Sequence, residues 1–505
     1  MDVLNFLAEG FAIALTPTNL LVALIAVLIG TLIGMLPGIG PINGIVVLIP
    51  LAFAIKLPAE SMLILFAGVY YGAEYGNAIS ASLLNVPGTS AAVITALEGH
   101  TMSRMGIAGK ALATSAISSF FGGTISIIAM MFFAPLLSKW AIKFGPAEYF
   151  ALIVFAFSTL SSLTGTNLAK GVMATVIGLM LSTIGLDVMS GVDRYTFGQL
   201  KLLDGLDFVV VVIGFFAINE VLKLTYKNDA VDFITTEIGR VILTFKEFMS
   251  TFWSLVRGST LGFFIGILPG AGAAMASFIS YMIERRLWNP KGETFAENND
   301  FRGLASPEAA NNAAVGGALI PLLTLGIPGS GTTAVMLGAL LGLGITPGPL
   351  FISQHPEIFW GLIASMYVGN ALLLVLNLPL VGIWVRVLQV PDWFLYPAVV
   401  AISFVAVYAV SNSPFDIMLM AMLGILGFFL HMFKLPMPPV ILGLILGPLM
   451  ERNLRRSLSL SDGDWGYLFQ SPISITLWIL AILSLCLPLF LGSKKQEELV
   501  SSVDL

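Results

Sequence analysis

Gly34-Met35-Leu36-Pro37-Gly38-Ile39-Gly40-Pro41 interrupts an apolar run that begins at Asn19, and Gly266-Ile267-Leu268-Pro269-Gly270-Ala271-Gly272 repeats it later in the chain. Proline lacks a backbone donor and clashes with the preceding turn, while glycine adopts positive φ, so Pro-Gly in such a run ends a helix. Within hydrocarbon, an ended helix leaves N–H and C=O groups that only protein or a water-filled cavity can satisfy. Two further stretches have the same character: Asn85-Val86-Pro87-Gly88-Thr89-Ser90 and Gly326-Ile327-Pro328-Gly329-Ser330-Gly331-Thr332-Thr333. Four breaks predict a site built from discontinuous helices.

Composition places these breaks in a membrane. Of 505 residues, 57% are hydrophobic and 10% charged, against roughly 45–50% and about 25% in soluble domains. Apolar runs near the ~20 residues needed to cross a bilayer recur from Asn19 to Leu491. The expectation is an all-α integral membrane protein of about ten to fourteen helical segments. A net charge of −5 spread through short loops excludes a nucleic-acid partner. Cys486 is the single cysteine, so no intrachain disulfide forms. The N-terminal region carries Asp2 and Glu9 and no Lys or Arg before Lys56, unlike a cleavable signal peptide, so the first apolar segment is expected to stay as a membrane helix.

The second part of the chain echoes the first. Pro269 follows Pro37 by 232 positions, Pro328 follows Pro87 by 241, Asp392 follows Glu148 by 244 and Gly424 follows Gly178 by 246. A smoothly rising offset is the mark of a duplicated unit with small insertions. The expected organisation is an N-terminal interfacial segment (1–17), membrane repeat 1 (18–227), a cytoplasmic connector (228–250), membrane repeat 2 (251–470) and an extra C-terminal helix and tail (471–505). Lys223, Lys227, Arg240, Lys246 and Arg257 precede the second repeat, whereas no Lys or Arg precedes the first. After the second break of each half the bias reverses, with Arg104 and Lys110 in the first half and none between Ser330 and Pro379 in the second. This asymmetry favours inverted halves with the N-terminus outside.

A helix that begins after a break aims free N–H groups and the positive end of its dipole into the gap, which suits an anion. The half-helix that ends there offers carbonyls, which suit a cation such as Na⁺. Substrate contacts are therefore expected at Asn43, Asn85, Thr89, Ser90, Ser330, Thr332 and Thr333, and a cation at Pro37, Gly38, Gly40, Pro269, Gly270, Gly272 and Asn312. Pro87, Gly88, Pro328 and Gly329 shape the backbone. The bland reading of one Pro-Gly is a packing kink, but four in paired positions beside hydroxyl and amide groups favour a site. Glu74, Glu98 and Glu308 lie closest to the breaks, and the expectation is that they sit at the interface at segment ends. Tyr70 and Tyr71 are read as anchors or core, and His100, His355 and His431 as loop or interface residues. No protein metal centre and no cofactor are expected beyond a coupling ion, Na⁺ or H⁺. Neither a His-Glu-x-x-His pair nor clustered aspartates announce an enzyme. An anion-selective channel is the alternative, since Pro-Gly hairpins also build filters; inverted repeats favour alternating access.

At these residues the chain resembles the large membrane subunit of the tripartite tricarboxylate transporters. The resemblance rests on Gly34 to Pro41, Asn85 to Ser90, Gly266 to Gly272, Ser306-Pro307-Glu308-Ala309-Ala310-Asn311-Asn312 and Leu325 to Ser330, and runs over nearly the whole chain. It departs at His100-Thr101, where an aromatic residue followed by proline is expected. The resemblance implies a bacterial inner-membrane secondary transporter of carboxylates, driven by a cation gradient. It also implies a periplasmic solute-binding protein that delivers substrate and a small membrane subunit of about four helices. A homodimer is compatible with the sequence, as is an organic anion other than a tricarboxylate.

Overall fold

The computed structural model describes residues 2–36, 40–163, 168–187, 189–227, 239–270, 272–288, 294–387 and 392–491. Pro37, Gly38 and Ala271, residues 228–238 of the connector and the tail beyond Leu491 lie outside the described residues. Helices of nine residues or more are numbered in chain order. They are α1 (Asp2–Ala14), α2 (Pro17–Met35), α3 (Gly40–Ala54), α4 (Ala59–Leu84), α5 (Ala108–Ala141), α6 (Pro146–Leu163), α7 (Leu168–Ser182), α8 (Asn219–Lys227), α9 (Phe245–Ile267), α10 (Gly272–Trp288), α11 (Arg302–Leu325), α12 (Gly331–Gly342), α13 (Pro356–Asn377), α14 (Asp392–Ser411), α15 (Pro414–Met432), α16 (Met437–Leu460) and α17 (Pro472–Leu491). The protein is an all-α membrane protein, as its composition predicts. Among the described residues, α2, α5, α13 and α15 are individually long and apolar enough to cross a membrane. Several others fall short because the breaks divide them.

The breaks are backbone events. α2 ends at Leu36 in an extended conformation (φ −78°, ψ 123°), and α9 ends the same way at Leu268 (φ −72°, ψ 122°). The next helices start at glycines with positive φ, Gly40 at 61° and Gly272 at 60°. The second breaks match as well: α4 closes on Asn85 and α11 on Gly326, both left-handed. Thr89 and Ser330 then return to extended backbone before a new helical segment. Ser330 caps α12 with Thr333 in a reciprocal box.

Lipid supplies no hydrophobic drive between helices, so small residues that let backbones touch must supply the packing. A Cβ on Gly34 would collide with the Ala73 carbonyl oxygen, and one on Gly266 would collide with that of Ala314. The pairs α2·α4 and α9·α11 are thus held by the same contact at matched positions. The peripheral helices show a second exchange: Gly178 of α7 meets Val440 and Gly443 of α16, while Gly424 of α15 meets Ile218 and Gly214 before α8. α1 docks on α13, with the Phe6 and Trp360 rings stacked at 5.8 Å. Between α7 and residue 208, a two-residue antiparallel pair, Gly185–Leu186 with Asp193–Arg194, stiffens a loop that ion pairs to α16.

Candidate functional site

The tips of the broken helices converge. Gly40, at the start of α3, lies against the Gly88 carbonyl oxygen and the Thr89 methyl, within 3.8 Å of a Cβ placed on it. Gly272, at the start of α10, stands in the same relation to Ser330, at 3.8 Å. The halves also cross: Gly331 abuts Ile42 of α3, and Ala91, just after the second break, packs with Ala273 and Ala276 of α10. Ser330 Oγ lies 3.2 Å from the Tyr70 hydroxyl of α4. Gly270 N–H donates to the Gly329 carbonyl at 3.0 Å, which ties the third break to the fourth.

Behind the tips stand two polar helix faces. On α4, Tyr70, Glu74 and Asn77 recur at helical spacing and share one side. Asn77 Nδ2 donates to Glu74 Oε2 at 2.8 Å and to Thr89 Oγ1 at 2.7 Å, and Thr89 Oγ1 is 3.5 Å from the same carboxylate oxygen. On α11, Glu308, Asn311 and Asn312 do likewise. The Glu308 carboxylate accepts from Thr95 Oγ1 and, at 3.1 Å, from Ser119 Oγ of α5. Asn312 Nδ2 donates to Ser119 Oγ at 2.8 Å, behind Glu308. Asn311 lies beside Glu74 with its amide facing the carboxylate.

Glu74, Glu98 and Glu308, expected at segment ends, are buried inside the protein, at 3%, 1% and 0% exposure. The reason is helix length. The small and polar run from Tyr70 to Asn77 looks like a segment end, yet α4 continues through it to Leu84 because Gly72 and Gly76 pack on Val27, Gly30 and Thr31 of α2. Pro307 likewise suggests a helix start before Glu308, but α11 begins at Arg302 and carries Pro307 inside its first turns. Glu98 has a third situation: the Tyr281 hydroxyl and the backbone N–H groups of Phe295 and Ala296 donate to it, so it fastens the 96–100 turn to α10 and the segment before α11. Tyr70 and Tyr71 are buried in the interior rather than anchored at a surface.

Of the other expected residues, Asn43 is buried on α3, Thr332 and Thr333 are buried in the first turn of α12, and Asn85 and Ser90 are exposed on either side of the second break. Pro269 is buried in the turn before Gly270, and Pro328 and Gly329 are buried at the fourth break. Pro87 and Gly88 form the corresponding turn, where Gly88 presses on the Gly34 carbonyl oxygen. Thr89, Ser330 and Asn312 join the polar cluster directly. The cavity bounded by Ala23, Tyr71, Ser365 and Asn370 holds about 10 Å³, room for about one water.

Comparison with known proteins agrees with this architecture. The family described as tripartite tricarboxylate transporter TctA family matches residues 20–442. A protein of Agrobacterium vitis, named an uncharacterized 52.8 kDa protein in the TAR-I ttuC' 3' region, is 40% identical over 99% of both chains. A second, named an uncharacterized protein in the TAR-II ttuC' 3' region of the same organism, is 41% identical over 47% of this chain and 98% of its own length. No solved structure matches.

Proposed function

Because the chain belongs to the tripartite tricarboxylate transporter TctA family, we propose that it is the subunit that moves the substrate, importing citrate-like tri- or dicarboxylates by alternating access. The family is one of membrane transport proteins of tripartite systems, which supports a transporter over an enzyme. In this reading a periplasmic binding protein feeds it, a small four-helix membrane subunit accompanies it in the bacterial inner membrane, and a Na⁺ gradient drives it.

The observation that carries the reading is the convergence of the four breaks, with Gly40 against Gly88 and Thr89, and Gly272 against Ser330. Helix starts at residues 40, 90, 272 and 331 lie at this meeting point, and the first-turn N–H groups and positive dipole end of a helix are the chemistry a carboxylate needs. The tips are tightly packed, so a polyanion enters only if they part, which supports a moving element rather than a standing pore. Inverted halves would let the same tips open first to one side and then to the other.

The test is uptake of radiolabelled citrate and a dicarboxylate into vesicles that hold all three subunits, with Na⁺ and proton gradients imposed separately. Accumulation against the substrate gradient only when Na⁺ is higher outside is the expected result. Rapid downhill flux that ignores both gradients would replace the transporter with a channel.

A further inference from the structure

Glu74 poses a physical problem that the carboxylate-transport reading does not solve. Its side chain is buried in the middle of α4, and no Lys or Arg among the described residues pairs with it. The groups that hydrogen-bond to it are neutral, the Asn77 amide, the Thr89 hydroxyl and the Asn311 amide, and the Glu308 carboxylate, near enough to interact with it electrostatically, adds like charge rather than compensation. The hydrogen bonds it accepts from Asn77 and Thr89 both fall on one carboxylate oxygen and come from uncharged donors. An uncompensated anion at this depth is strongly unfavourable, and hydrogen bonds from neutral donors offset only part of that cost.

A second observation is independent of the charge. Asn77 Oδ1 and Asn311 Oδ1 are both fully buried amide oxygens without a hydrogen-bond donor. The Asn311 amide nitrogen faces the Glu74 carboxylate, which leaves its oxygen as the unsatisfied atom. Buried acceptors are nearly always satisfied in folded proteins, so orphaned ones clustered on a carboxylate point to a missing positive partner. The groups available, one carboxylate with amide and hydroxyl oxygens, suit a hard cation. A single formal charge matches a monovalent ion, and among the described residues no group of three His, Cys, Asp or Glu could hold a divalent one.

We infer that Glu74, Asn77, Thr89 and Asn311 form the binding site of the coupling cation, Na⁺, on the face of α4 behind the second break. The inference deepens the transport reading and rests on it for its consequence. It moves the cation from the glycine carbonyls of the breaks to side chains that join α4, α11 and the second break. Thr89 is the link to substrate, since it stands both at the Glu74 carboxylate and beside Gly40 at the convergent tips. With Na⁺ in place, α4, α11 and the tip at Thr89 are held together; without it, the buried charge favours their separation.

Sodium binding can be measured without substrate. The purified full chain in detergent is unfolded thermally with NaCl replacing choline chloride at constant ionic strength. The native protein should show a Tm that rises with Na⁺. In Glu74→Gln the Na⁺ concentration for half the effect should increase by about tenfold or more, while Tm in choline is kept or raised. Thr89→Val keeps the carboxylate and removes one oxygen, so it should weaken the response to an intermediate degree and serves if Glu74→Gln does not fold. A purely structural Glu74 would give a lower Tm in both salts with the Na⁺ increment intact, which would overturn the proposal. So would loss of a pH response in place of a Na⁺ response, or loss of the Na⁺ response in Glu308→Gln but not in Glu74→Gln. If vesicles with three subunits take up no carboxylate while the Na⁺ increment persists, the transport reading fails and the cation site stands.

Discussion

Asp187 shows what a charged side chain does here when it lies outside the membrane-spanning helices. It follows α7, where Ser190 Oγ donates to it at 2.7 Å, Met189 N–H at 3.0 Å and Arg455 of α16 at 3.0 Å. These donors hold its carboxyl well below the usual carboxylate range. A depressed folded pKa means that the stabilisation is fully present above the unfolded value of about 3.9 and is lost as pH falls through the folded value. Amide exchange over Gly185 to Arg194, corrected for intrinsic rates, should therefore be constant from neutral pH down to about 4 and rise only in stronger acid. Loss of protection between pH 7 and 5 would contradict the assignment. Glu74 contrasts with Asp187 in having no Lys or Arg partner among the described residues, and that difference was not legible in the sequence. Polar residues such as Tyr70, Glu74 and Asn77 mark a segment end and a buried helix face equally well. The signal that separates them is their spacing of four and three, which places all three on one side.

Elements were more legible than their side-chain environments, because Pro-Gly acts on the backbone and needs no tertiary partner to end a helix. The positions of all four breaks could be read directly, although Pro37 and Gly38 themselves lie outside the described residues. What could not be read is that each break is clamped by the helix it packs on. Gly34 meets the Ala73 carbonyl and Gly266 meets that of Ala314, contacts that pair positions far apart in sequence. Gly34→Ala and Gly266→Ala should each destabilise the protein by about 1–3 kcal/mol, as overpacking does. At Gly382, within the helix Val381–Val387, an added methyl group would meet nothing within 4 Å. Gly382→Ala should instead be neutral or stabilising by about 0.5–1 kcal/mol. Thermal unfolding of the three variants under one detergent condition checks this, and equal losses in all three would remove the clamp from the account.

At the scale of the molecule, the duplicated offsets anticipated two similar units, and matched backbone angles at Leu36 and Leu268 and at Gly40 and Gly272 accord with them. Their inversion across the membrane remains our proposal, supported by charge. Lys110, at the start of α5, pairs with Glu247 at the start of α9 at 2.6 Å, so the basic loop before α5 and the end of the basic connector share one side. In a background carrying Cys486→Ser, Arg240→Cys should react with an impermeant maleimide only from the cytoplasm; labelling from the periplasm would refute the proposed orientation. Cation coupling of the proposed carboxylate transport is read out by measuring radiolabelled Na⁺ and carboxylate entry together in vesicles with all three subunits. Na⁺ entry should require the carboxylate and keep a fixed ratio to it as either concentration is varied. Carboxylate entry with no accompanying Na⁺, or two fluxes that vary independently, would contradict it.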